Sequence, residues 1–237
     1  MRTSLFRRRE VWLPTVWGAL LLLALGAALL FGLARAAAPW LAPHAPAPGA
    51  RTLVVEGWLD LAEIRQAAQV ARAGRYARVL TTGGPIDPLV DAAGHRSFAL
   101  RAAALLRANG LTELPVIAVP APASAQERSY LSAVVLREWA KRNDPALAAF
   151  DLYSAGVHAR RSWLVYRMAF GARVEVGILA ARPTDYDPQR WWASSIGAKA
   201  TLGEAIGLAW TTCCFWPGPP GSHDERWGVP AAAGTVP

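Results

Sequence analysis

Five short runs rich in β-branched and other apolar residues occupy residues 52–55, 78–82, 115–119, 150–154 and 173–179, and a stretch with helical spacing follows each of them. Leu61 opens the first helix, expected over 61–73 and closed by Gly74, and a second spans 96–108 and stops at Asn109-Gly110. Ser124-Ala-Gln-Glu127 has the form of a capping box and starts a third, running to about residue 142. The fourth covers 158–170 and ends at Gly171, and the last covers 202–215, with Glu204 inside an otherwise apolar run. Short strands alternating with helices predict a mainly parallel sheet of about five strands covered on both faces, a Rossmann-like three-layer α/β domain.

The flanks do not share this alternation. From Val11 to Ala34 there is no charged residue, and the run is long enough to cross a bilayer, which takes about 20 apolar residues. Arg2, Arg7, Arg8 and Arg9 before it, against Arg35 after it, place the N-terminus in the cytoplasm and the α/β domain outside it, on the periplasmic or extracytoplasmic side of the plasma (inner) membrane. Trp12 and Trp17 suit the interface. Ala34-Arg35-Ala36 resembles a signal-peptide cleavage site, but the apolar run exceeds the usual 7 to 15 residues of such a signal, so an uncleaved anchor is the favoured reading. The resulting division is a tip and anchor over 1–35, a Pro/Ala-rich extended tether over 36–50, the α/β domain over 51–216 and a flexible tail over 217–237. His44 and His223, in the tether and tail, are expected to do no chemistry.

A net charge of +8 and a pI near 10.3 raise the question of nucleic acid. Lysine occurs only at Lys141 and Lys199, several arginines lie in the anchor tip, and aromatic and basic residues do not interleave, so nucleic acid is not expected as a partner. Cys213 and Cys214 are adjacent and make neither a long-range staple nor a zinc motif; they read as small residues at a helix end, with a vicinal disulfide as the alternative. No GxSxG, GxxxxGK[ST] or HExxH motif is present, and no metal ligand set is expected.

Ligands of such sheets lie beyond the carboxyl ends of the strands, which selects the residues following each apolar run. Phe150 to Ser162 is the richest segment: a strand empties through Ser154, Ala155 and Gly156 into a helix whose first turn carries His158, Arg160 and Arg161. A helix start with guanidinium groups favours an anion, and histidine adds proton transfer near neutral pH; a solvated helix face with a capping histidine is the alternative. Gly83 and Gly84 allow close backbone approach to a ligand, or simply a strand-end turn. Glu56 and Asp60 offer carboxylates as a base or for a hard cation, although Asp60 also reads as a helix cap. Glu127 and Arg128 open the third helix and suit either ligand contact or structural pairing. In the loop from Asp185 to Trp192, Trp191 and Trp192 are candidates for stacking on a sugar or base, for the membrane interface, or for anchoring the loop to the core.

The order of these motifs, Leu53-Val-Val-Glu-Gly-Trp-Leu59, Thr81-Thr-Gly-Gly-Pro-Ile86, Glu127-Arg-Ser-Tyr130, Gly156-Val-His-Ala-Arg-Arg-Ser162 and Tyr186-Asp-Pro-Gln-Arg-Trp-Trp192, resembles the bacterial ElyC/SanA/YdcF family. The resemblance covers about 53–215. It implies a Rossmann-like fold and, for membrane-bound members, roles in envelope integrity and in handling the cell-wall lipid carrier; a soluble member is reported to bind S-adenosylmethionine. It also aligns Gly83, Gly84, Glu127, Arg128, His158 and Arg161 with the family's pattern. Many members carry a glycine run after the first strand where this chain has Glu56-Gly57-Trp58, whose carboxylate and indole obstruct a phosphate cradle.

Two functions follow as expectations. One is an anchored envelope enzyme, a hydrolase or transferase, acting on a phosphorylated or lipid-linked cell-wall intermediate. Its catalytic residues would be His158, Glu56 and Asp60, and its ligand-binding residues Gly83, Gly84, Glu127, Arg128, Ser154, Gly156, Arg160, Arg161 and Trp191. The other is a non-catalytic module that binds an envelope metabolite or partner. Binding of S-adenosylmethionine or a nucleotide is more distant, and the sequence names no cofactor.

Overall fold

The computed structural model describes residues 12–73, 75–87, 94–124, 127–222 and 224–226. The N-terminal arginines, Gly74, His223 and the end of the tail lie outside the described residues. Two compact units make up the chain, residues 1–36 and 37–237. Most of the first is helix α1, Val16–Leu41, whose most apolar stretch buries none of its residues against protein. At 1.5 Å per residue the helix is about 39 Å long, enough to cross a bilayer once. The protein is thus a membrane-anchored chain with a soluble α/β domain.

In the second unit the strands are β1 (His44–Ala45), β2 (Thr52–Glu56), β3 (Arg78–Gly83), β4 (Val116–Pro120), β5 (Ala149–Ser154) and β6 (Glu175–Ala180), in the spatial order β1-β6-β5-β2-β3-β4. Five are parallel, as the alternating pattern requires, and β1 pairs antiparallel with β6, His44 opposite Leu179. The sheet therefore has six strands and is mixed. Its extra strand comes from the segment expected to be an extended tether. Prolines on either side of His44-Ala45 forbid a central strand but not an edge one.

What holds that segment is Asp151. It is fully buried in β5, and its carboxylate accepts from the Ala47 N–H at 2.7 Å, the Tyr76 hydroxyl at 2.6 Å and the Arg75 guanidinium at 2.5 Å. Gly177 beside it has no room for a side chain, since a Cβ there would lie 2.1 Å from Asp151 Oδ1. Burial beside this carboxylate pushes the Tyr76 hydroxyl well above its ordinary value.

Alternation along the strands builds a core on each face. Leu53 and Val55 pack with Ile64, Ala67, Leu106 and Tyr153 under α2 (Leu61–Arg72) and α3 (Phe98–Ala108). Val54 packs with Leu80, Leu136, Phe150, Leu152 and Tyr166 under α4 (Arg128–Asn143) and α5 (Ala159–Phe170). Each of the valine, leucine, isoleucine and phenylalanine side chains contributes about 1.5–3 kcal/mol on burial. Helix α6, Ser195–Cys214, is longer than the pattern suggests and packs against α5. Ser194 starts it, accepting from the Gly197 N–H at 3.0 Å.

Helix α4 begins at Arg128, not at a capping box: Glu127 stands before it with φ 50° and no side-chain cap, while residues 125–126 of the expected box lie outside the described residues. Near the C-terminus, Glu225 is buried and receives both terminal nitrogens of Arg137, so this part of the expected loose tail is fastened to α4. Cys213 and Cys214 are joined as a vicinal disulfide at the exposed end of α6.

Candidate functional site

Connections from β2 run through β3 to β4 on one side, and the chain then returns to place β5 against the other side of β2. The strand order reverses at the β2/β5 pair, the position where ligands bind in open α/β sheets. A cavity of about 910 Å³ opens there, at the carboxyl ends of the strands. Glu56, Asp60, Gly83, Gly84, Glu127, Arg128, Gly156, His158 and Arg161 all line it.

At its floor lies Glu56, the last residue of β2, only 2% exposed. Ser162 Oγ lies 3.0 Å from both of its carboxylate oxygens, and Ser154, the last residue of β5, donates to Oε2. Among the described residues Glu56 has no ion pair, so this buried carboxylate is held by hydroxyls alone. Ser154 thus acts on the cavity through Glu56.

His158 forms the wall. Its Nδ1 lies 2.8 Å from Glu204 Oε1, and the Trp58 ring meets it edge to face with centroids 4.8 Å apart. Arg161 reaches the same carboxylate, Nε to Oε2 at 2.8 Å and Nη2 to Oε1 at 3.2 Å. Burial opposes ionisation of Glu204, but the hydrogen bonds and charges of His158 and Arg161 outweigh it and hold the carboxyl at about 2. Glu204 is therefore ionised and accepts at Oε1 from the Nδ1–H of His158, a proton that the ring carries both as the cation and as one neutral tautomer; the 3.0 Å approach of Arg161 Nη2 to Nδ1 follows from both groups converging on Oε1. His158 Nε2, on the other side of the ring, is buried with no hydrogen-bond partner among the described residues. An imidazole oriented by a carboxylate, with its second nitrogen unused, is the arrangement of a general base.

Glu63 is the other unusual carboxyl. It completes a capping box with Asp60, each side chain bonding the other's backbone N–H, at 2.7 Å and 3.1 Å. Burial raises it from 4.5 to about 7, against the lowering effect of the Asp60 backbone bond. It faces the cavity together with Asp185 and Tyr186 from the loop after β6. The bland reading of Asp60 as a cap therefore describes its geometry, although it also borders the cavity.

Several expected roles find a different physical basis. The helix start after β5 is wound into a 3-10 turn, Gly156–His158, which directs the His158 N–H to Ala155 O at 2.9 Å, so that amide is not available to an anion. Gly83 has φ 144°, and a Cβ there would lie 2.7 Å from Phe98 Cβ; packing against α3 requires glycine. Gly84 has no such restriction. Arg160 turns away from the cavity: it donates to the Trp40 carbonyl and lies 4.3 Å over the Trp40 ring. Trp191 is also outside the lining; it is 7% exposed, packs edge to face on Trp192, and sits in a 3-10 turn, Pro188–Ala193, that fastens the loop before α6.

Glu63, Ser162 and Glu204 are the residues of the site that motif reading does not select. Glu63 looks like an ordinary cap and Ser162 like a helix residue. Glu204, lone in an apolar helix, carries a signal, because a buried carboxylate needs a partner. The cavity lining is rich in carboxyls, with Glu56, Asp60, Glu63, Glu127, Asp185 and Glu204 against Arg128 and Arg161. Even so, among the described residues no three His, Cys, Asp or Glu side chains are grouped to hold a metal ion. No known family model matches the chain, and no curated protein matches it.

Proposed function

We propose that the domain is an envelope enzyme that hydrolyses or transfers a phosphorylated or lipid-linked cell-wall intermediate on the extracytoplasmic side; the resemblance to ElyC/SanA/YdcF proteins supports the envelope setting, and the cationic start of α5 the phosphorylated substrate. The observation that carries the reading is His158, which lines the cavity at the strand-order reversal, with Nδ1 2.8 Å from Glu204 and Nε2 buried without a hydrogen-bond partner among the described residues. In this mechanism Nε2 takes the proton of the attacking water or hydroxyl as its oxygen bonds phosphorus, and the imidazolium returns a proton to the departing oxygen. Arg161 balances Glu204 and shares its remaining nitrogen with the phosphoryl oxygens, joined by Arg128 at the cavity edge. Glu56, held by Ser154 and Ser162, orients the nucleophile.

The test uses the full-length protein in detergent with a panel of phosphorylated and pyrophosphorylated lipid-linked envelope intermediates, following release of phosphate. Turnover of at least one, lost in His158→Ala, is expected. No turnover by the wild type, or undiminished turnover in His158→Ala, overturns the reading. A second reading, a binding module without catalysis, draws on the excess of carboxyls over arginines in the lining, which favours a hydroxyl-rich or cationic ligand over a bare phosphate. Thermal stabilisation by such a ligand without its consumption would establish that reading instead.

A further inference from the structure

Helix α6 is turned inside out relative to a helix that faces water. Its buried residues are Gly197, Thr201, Leu208 and Thr211, and Glu204 completes this stripe at the three- and four-residue spacing of one helix face. The opposite face carries the large apolar side chains: Ile196 is 51% exposed, Leu202 54%, Ile206 71% and Trp210 40%. Trp192 before the helix and Trp216 after it, 37% and 83% exposed, flank this apolar face in the sequence. Lys199 is the single charged side chain at the exposed positions of α6. Surface helices normally bury the apolar stripe and expose the polar one, and a continuous exposed apolar stripe marks an interaction surface.

We propose that the outer face of α6 lies in the headgroup region of the bilayer that α1 crosses. Three observations favour lipid over a second copy of the chain. The chain that forms the apolar helix runs directly into the α/β unit, which therefore is tethered to a membrane by its own polypeptide. Tryptophan, here at both ends of the stripe, is the side chain most suited to the membrane interface. The one charge on the face is a lysine, which anionic headgroups attract and which reaches outward from an interfacial helix. Glu204 projects from the same helix into the cavity, so the docked helix would set the cavity beside the lipid surface. The inference does not depend on the chemistry assigned to His158.

The experiment places a spin label at Ile206→Cys in full-length protein whose native pair is replaced by Cys213→Ser and Cys214→Ser. The protein is held one copy per nanodisc of phosphatidylcholine and phosphatidylglycerol in equal amounts. Arg142→Cys, on the exposed face of α4, is the reference. The expected result is a ratio of oxygen to water-soluble nickel accessibility several-fold higher at 206 than at 142. Equal ratios at the two positions overturn the proposal. Dipolar broadening between 206 labels in larger discs, with no lipid signature in single-copy discs, also overturns it and identifies a second copy as the occupant. Circular dichroism of each labelled protein establishes that it is folded before it is compared.

Discussion

Strand β5 carries a buried polar network at each of its ends, and the two are built differently. At the amino-terminal end every strong bond of Asp151 is taken, by a backbone amide, a tyrosine and an arginine. At the carboxyl end Glu56 is held by Ser154 and Ser162, and a second set, His158, Arg161 and Glu204, stops short, leaving His158 Nε2 without a partner among the described residues, on a side chain that lines the cavity. A closed network fixes structure, because every buried group is satisfied. An open one keeps a polar atom in reserve for a ligand, at a cost of about 1–3 kcal/mol in the empty state.

The largest effect expected from this contrast is on stability at the closed end. Asp151→Ala strands the Ala47 N–H and the Tyr76 hydroxyl and should lower unfolding free energy by about 3 kcal/mol, read by denaturant titration, with the turnover of folded molecules preserved. At the open end the balance reverses. His158→Ala should reduce turnover about 100-fold while shifting the unfolding midpoint less than Asp151→Ala does; a larger midpoint shift would make His158 a structural residue and erase the distinction.

The pH dependence separates the two unusual carboxyls. Glu204 is held at about 2 against an ordinary 4.5, so its stabilising contribution is complete above 4.5 and is lost as pH falls toward 2. Glu204→Gln should remove that acid-side decline, worth about 2 kcal/mol in a pH series of denaturant unfolding. Glu63 is raised to about 7, so its contribution is complete below 4.5 and is lost as pH rises through 7. Glu63→Gln, which can keep the capping box, should flatten the alkaline-side decline by about 1 kcal/mol. Smallest of all, Arg160→Ala should cost under about 1 kcal/mol and leave turnover unchanged, because it removes only the contact with Trp40.

The sheet and its helices were legible because their signals are local: period-two and period-3.6 patterns, punctuated by Gly110 and Gly171. The rim followed from the rule that ligands lie beyond strand ends, which brought Glu56, Gly83 and His158 together without any knowledge of strand order. Strand β1 was not legible, since two residues among prolines have no periodicity and their place depends on Asp151, 104 residues away from Ala47. Direction was equally hidden. Arg160 and Arg161 are neighbours in sequence, but one helical step of about 100° sends the first to Trp40 and the second to Glu204. Glu204 itself required knowing which face of α6 is buried, and its apolar residues point to the wrong one.

The bond between Asp151 and the Ala47 backbone also bears on how the domain is retained. A protease cuts by drawing an extended segment into its active cleft, and within residues 37–50 the chain ends a helix at Leu41, pairs as a strand at His44-Ala45 and is pinned at Ala47 to a buried carboxylate. A cut there would require peeling an edge from the sheet first. Resistance to cutting within this segment is thereby tied to the stability of the sheet.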